Sequence, residues 1–74
     1  MDMRVDRSGQ VKILVFNIAG EEVVQLLNKN ESQGNYRVDW DGKNTNGEMV
    51  GNGVYFVLIQ QLSGLTTRRV IVLK

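Results

Sequence analysis

Between Trp40 and Phe56 the chain reads Trp-Asp-Gly-Lys-Asn-Thr-Asn-Gly-Glu-Met-Val-Gly-Asn-Gly-Val-Tyr-Phe, and this segment joins two apolar, β-rich runs. Gly reaches positive φ without steric cost, while Asn and Asp bond their side chains to nearby backbone, so such residues end strands and build turns. The stretch points to an all-β module with a binding or structural role. It holds no arrangement of groups suited to catalysis.

Seventy-four residues make one domain, and a chain of this size buries only about 60% of its unfolded surface. Small domains often compensate with disulfides, but there is no Cys, which excludes both a disulfide framework and a thiolate metal site. Nine Lys and Arg against eight Asp and Glu give a formal charge of +1. That balance lacks the electrostatic footprint of a nucleic-acid or membrane-surface binder. Arg68 and Arg69 are the densest basic pair, and on a strand they point to opposite faces. No run reaches the roughly 18 apolar residues of a membrane span, and the opening Met-Asp-Met-Arg-Val-Asp-Arg has no apolar core of a signal peptide.

Val11 to Phe16 sets Val11, Ile13 and Val15 on one face and Leu14 and Phe16 on the other, short and β-branched as a strand requires. Asn17 to Gly20 reads as a turn. In Glu21 to Leu27 the spacing of Val23, Leu26 and Leu27 fits a helix, but the Val23-Val24 pair favours a strand, which is the expectation adopted. Asn30 to Asn35 reads as loop. Tyr36, Val38 and Trp40 then alternate with Arg37, Asp39 and Asp41, the pattern of a half-buried strand. Asp41-Gly42 and Asn46-Gly47 are turn dipeptides, with at most a very short strand at Glu48 to Val50.

Val54 to Ile59 is the longest apolar run. Ser63-Gly64 turns it into a last strand over Leu65 to Lys74, and Val5 marks a short opening edge strand. Six or seven short strands at near-regular spacing predict an antiparallel two-sheet sandwich. The runs around Val15 and Val57 are apolar on both faces, whereas an antiparallel sandwich leaves one face wet. Two readings account for the excess: burial by a partner, or scattered surface apolar residues.

Three spaced blocks carry a family likeness. Val15 to Val23 follows the pattern strand, Tyr/Phe-Asn/Asp-x-x-Gly-x-x-Val. Gly34 to Asn44 follows Gly-x-Tyr/His-x-x-x-Trp-Asp-Gly-x-Asn/Asp, and Asn46 to Phe56 follows Asn-Gly-x-x-Val-x-x-Gly-Val-Tyr-Phe. With the closing Thr67 to Lys74, the chain resembles the Ig-like domain of the flagellar hook-capping protein. It equally resembles the C-terminal Ig-like sorting domains of the bacterial type IX secretion system. The likeness covers about Ser8 to Lys74, and the Asn-Pro-Phe-type lead-in that usually precedes the first strand is absent.

The resemblance implies an Ig-like β-sandwich over residues 1–74, taken from the C-terminus of a longer bacterial protein that is exported to the cell surface or medium. Its implied role is sorting or attachment. The implied partner is a protein: secretion machinery, domains of the parent chain or a surface assembly. The hook-cap role is the alternative, and a calcium- or carbohydrate-binding module is a third. Nucleic acid, membrane insertion, small-molecule substrates and cofactors are not expected.

Residue by residue, structural roles are expected for Trp40, Gly42, Gly47, Gly53 and Tyr55. Trp40 shares the phase of Tyr36 and Val38, which makes it a core residue rather than a sugar-stacking platform. Tyr55 stands two residues after Gly53 near a strand start, like the tyrosine corner of Ig-like sandwiches, and its hydroxyl is expected to tie down a loop. Asp41, Asn44, Asn46 and Glu48 form an oxygen-rich segment. EF-hand spacing fails there because position 1 falls on Arg37, and turn chemistry explains the same residues. Arg68, Arg69 and Lys74 on the last strand are the candidate partner-binding residues, by addition of a strand to a sheet edge. With no His and no Cys, imidazole acid–base work and thiolate attack are excluded.

Overall fold

The computed structural model describes residues 1–74 and contains six strands: β1 Asp2–Val5, β2 Gly9–Asn17, β3 Glu22–Glu31, β4 Gly34–Arg37, β5 Gly53–Gln61 and β6 Gly64–Val72. They form two antiparallel sheets, one of four strands in the order β3-β2-β5-β6 and one of two strands, β1-β4. Together these make the sandwich that the strand spacing predicts.

The core lies between the sheets. Val11, Ile13 and Val15 of β2 are fully buried and Val57 and Ile59 of β5 are 2% exposed; β1 contributes Met3 and a fully buried Val5 from the opposite layer. Burying each such aliphatic side chain contributes about 1.5–3 kcal/mol. In the sequence Val5 reads as an edge residue among polar neighbours. Its pairing with Gly34 across the small sheet turns it inward instead.

Two β-bulges explain why Glu21 to Leu27 shows no clean alternation. Opposite β2, Ile13 pairs with Leu27 but Leu14 pairs with Gln25, leaving Leu26 over; Val15 pairs with Val24 but Phe16 pairs with Glu22, leaving Val23 over. Each extra residue re-phases the strand. As a result Val23, Val24, Leu26 and Leu27 all pack against the core, a set that mimics helical spacing in the sequence.

Several boundaries differ from expectation, each because of a partner strand. β3 runs on to Glu31, since Gly9 of β2 still lies opposite, so the loop before β4 shrinks to Ser32-Gln33. β4 stops at Arg37 because β1 begins at Asp2; one further bond, from the Val38 amide to the Met1 carbonyl at 2.8 Å, continues the direction toward Trp40. Glu48 to Val50, read as at most a very short strand, holds a single bridge between Lys43 and Met49, with no neighbouring strand to extend it. β6 ends at Val72, opposite the first residue of β5.

Candidate interaction surface

Val38 to Asn52 forms a folded loop at one end of the sandwich, and its own polar groups hold it. The Asp41 Oδ1 accepts the Lys43 amide at 3.1 Å, and the Asn44 Oδ1 accepts the amides of both Asn46 and Glu48 at 3.0 Å. Backbone bonds from Asn44 to Glu48 and from Val50 to Gly42 close it as a small hairpin, and the Thr45 amide bonds the Val23 carbonyl at the β3 bulge. Gly42 and Gly47 sit at φ 79° and 80°, where a side chain is strained. Gly42 is also buried, and a Cβ there would lie 3.3 Å from the Met49 Cε.

Two aromatic rings anchor this loop to the sheets. Trp40 is half-buried, donates from Nε1 to the Lys43 carbonyl at 2.9 Å, and meets Tyr55 edge-on with ring centroids 5.3 Å apart. Tyr55, 9% exposed, donates its hydroxyl to the Gly51 carbonyl at 2.8 Å, just before Gly53 opens β5.

A second tyrosine does the same work at the other sheet. The Tyr36 hydroxyl bonds the Ser32 carbonyl four residues back, as Tyr55 bonds Gly51. Gly34-Asn35-Tyr36 and Gly53-Val54-Tyr55 are thus two copies of one strand-opening device. Sequence reasoning singled out only Tyr55, although the shared Gly-x-Tyr spacing was there to see. Asn17 was missed too: its Oδ1 accepts the amides of Ala19 and Glu21, fixing the β2–β3 turn.

Of the four calcium candidates, Asp41 and Asn44 direct Oδ1 at backbone amides of the loop, the work of turn construction, while Asn46 and Glu48 enter these bonds through their backbone amides; no three acidic side chains come together to hold a metal ion. Asp39, outside that set, bonds the N-terminal amine at 3.2 Å and Arg37 at 3.3 Å. The amine, followed by Arg37, holds its carboxyl below the ordinary aspartate value.

Of the basic candidates on β6, Arg68 lies opposite Val57 and Arg69 opposite Phe56, so they occupy different faces of the sheet. Lys74 lies beyond the strand, with its amide bonded to the Asn52 Oδ1 at 3.0 Å. The structure does not gather the three into one patch. What it does gather is apolar: Leu14 and Phe16 of β2 stand opposite Leu58 and Phe56 of β5, on the face turned away from the core. β6 itself is a nine-residue edge strand, exposed from Gly64 to Arg69.

These features define an Ig-like sandwich module whose distinctive Trp, Tyr, Asn and Gly residues build a frame. Residues 3–64 match the family model of the FlgD Ig-like domain, and the chain belongs to that family, found in flagellar hook-capping proteins. The match favours the hook-cap resemblance over the type IX sorting one. No curated protein and no solved structure matched the chain.

Proposed function

We propose that this chain is a non-catalytic assembly module of the hook-cap kind, an Ig-like domain that works by contacting protein subunits outside the cell. Membership of the FlgD Ig-like family over residues 3–64 carries the reading. The geometry is in keeping with it: Asp41 and Asn44 spend a side-chain oxygen on the loop's own amides, and the sandwich presents a sheet face and a sheet edge. The β6 edge from Gly64 to Val72, bearing Arg68 and Arg69, suits addition of a strand from a partner. The type IX sorting role draws no support from the family match.

Deleting the coding segment in its native host and imaging the cell surface by electron microscopy tests the proposal. Loss of hooks with basal bodies retained is the expected result. Normal hooks and normal swimming, or a host that builds no flagellum, would sink the hook-cap reading.

A further inference from the structure

We propose that the outer face of the four-stranded sheet is a self-association surface, on which a second copy of the chain docks about a two-fold axis parallel to the strands. The face is apolar at its centre, where Phe16, Phe56 and Leu58 are half-buried and Leu14 is 8% exposed, and no second sheet packs on it. Val54, Phe56 and Leu58 alternate along β5 with the buried Tyr55, Val57 and Ile59, and the β1–β4 sheet packs on the core side, where Met3 and Val5 join the core cluster. Leu14, Phe16, Phe56 and Leu58 take no part in that cluster.

The strand register argues for a second copy as the occupant. Read across β3-β2-β5-β6, one row of the face is Glu22, Phe16, Phe56, Arg69, and the next is Gln25, Leu14, Leu58, Thr67. A two-fold axis running between β2 and β5 reverses each row over itself. Glu22 then faces Arg69 of the other copy, Phe16 faces Phe56, Gln25 faces Thr67 and Leu14 faces Leu58. Acid meets base at both edges, and apolar meets apolar between them. Neither Glu22 nor Arg69 belongs to any of the four ion pairs within the chain. The third row, Asn28, Lys12, Gln60, Leu65, sets Lys12 against Gln60, so no like charges oppose. Such an arrangement is isologous, as a two-fold interface requires, and two twisted sheets stack this way in aligned packing about 10 Å apart.

The area sets the strength. Four strands at about 4.8 Å spacing, over some 20 Å of length, offer roughly 400 Å² per copy. A standard interface uses about 800 Å² per partner, so the dimer is weak, with Kd on the order of 100 μM.

Sedimentation of the 74-residue chain from about 10 μM to about 2 mM, a range that brackets such a Kd, tests the proposal. Monomer and dimer in concentration-dependent exchange, weakened by added salt, are expected. Glu22→Arg and Arg69→Glu each turn two attractive contacts into two repulsive ones and should weaken association about tenfold. The double variant E22R/R69E should recover to within about threefold of the original, while Lys12→Glu, facing only Gln60, should change Kd by less than about threefold. Glu22 and Arg69 are exposed and Lys12 is half-buried, and circular dichroism checks that each of the four variants is folded. A chain that stays monomeric throughout overturns the proposal and leaves the face to a different protein. Dimers indifferent to the single reversals, or not rescued by the double one, overturn it as well.

Discussion

Replacing Tyr55 by Phe isolates one bond that ties the long loop to the sandwich. The ring is 9% exposed and meets Trp40 edge-on at 5.3 Å, contacts that Phe keeps. What disappears is the hydroxyl donated to the Gly51 carbonyl at 2.8 Å. Gly51 is exposed, so water can take over its carbonyl and no buried acceptor is left bare. The cost is therefore that of an ordinary net hydrogen bond, about 0.5–1.5 kcal/mol, and not the larger penalty of an unsatisfied group. For a domain of this size, 1 kcal/mol lowers Tm by about 4–8 °C. Trp40 is the single Trp, so its fluorescence during urea unfolding reports on this corner, and circular dichroism follows the sheets. Both probes should shift to lower midpoint together, with an unchanged m-value. A variant within about 0.3 kcal/mol of the parent would refute the tethering role of the hydroxyl. A loss above about 3 kcal/mol would refute the claim that the ring stays packed, since that is the scale of deleting an aromatic side chain.

Three further outcomes follow from the same loop and its surroundings. Gly42→Ala should destabilise more than Gly47→Ala in urea titration: both sit near φ 80°, costing about 1 kcal/mol, but only the Gly42 Cβ meets a neighbour, the Met49 Cε at 3.3 Å. Asp39 should titrate below its ordinary value in an NMR pH series, because the N-terminal amine and then Arg37 favour its charged form. Its folded value is depressed, so the small stabilisation is present above the unfolded value of about 3.9 and is lost as pH falls through the folded one; acetylating the N-terminus should move the titration back up. Adding millimolar calcium should leave Tm unchanged, since the Asn44 Oδ1 already accepts two amides, and a calcium-dependent rise would reinstate the Asp41–Glu48 segment as a metal site.

Much of the frame was legible from local pattern. Short apolar, β-rich runs at Val11 to Phe16 and at Val54 to Ile59 mark β2 and β5, and Ser63-Gly64 marks the turn into β6. Asp41-Gly42 and Asn46-Gly47 announce a loop that their own backbone angles and side-chain bonds then build. Such signals are readable because strand propensity and turn chemistry act over a few residues. β3 was the hard case: its two bulges depend on β2 lying opposite, and no local rule places them. Tyr36 shows the other kind of miss, a signal that was present in the Gly-x-Tyr spacing and passed over.

By itself, then, the sequence determined that this chain makes short strands, where the main turns fall and which loop carries the polar groups. Only the tertiary structure decided that Val5 is core, that β4 ends at Arg37 and that Glu48 to Val50 finds no sheet to join. It alone set Glu22 and Arg69, far apart in the chain, on one row with Phe16 and Phe56 between them. The reason is physical. A strand's propensity is a property of its own residues, but its length, its buried face and its cross-strand neighbours belong to the pairing, and pairing joins segments that the chain holds apart.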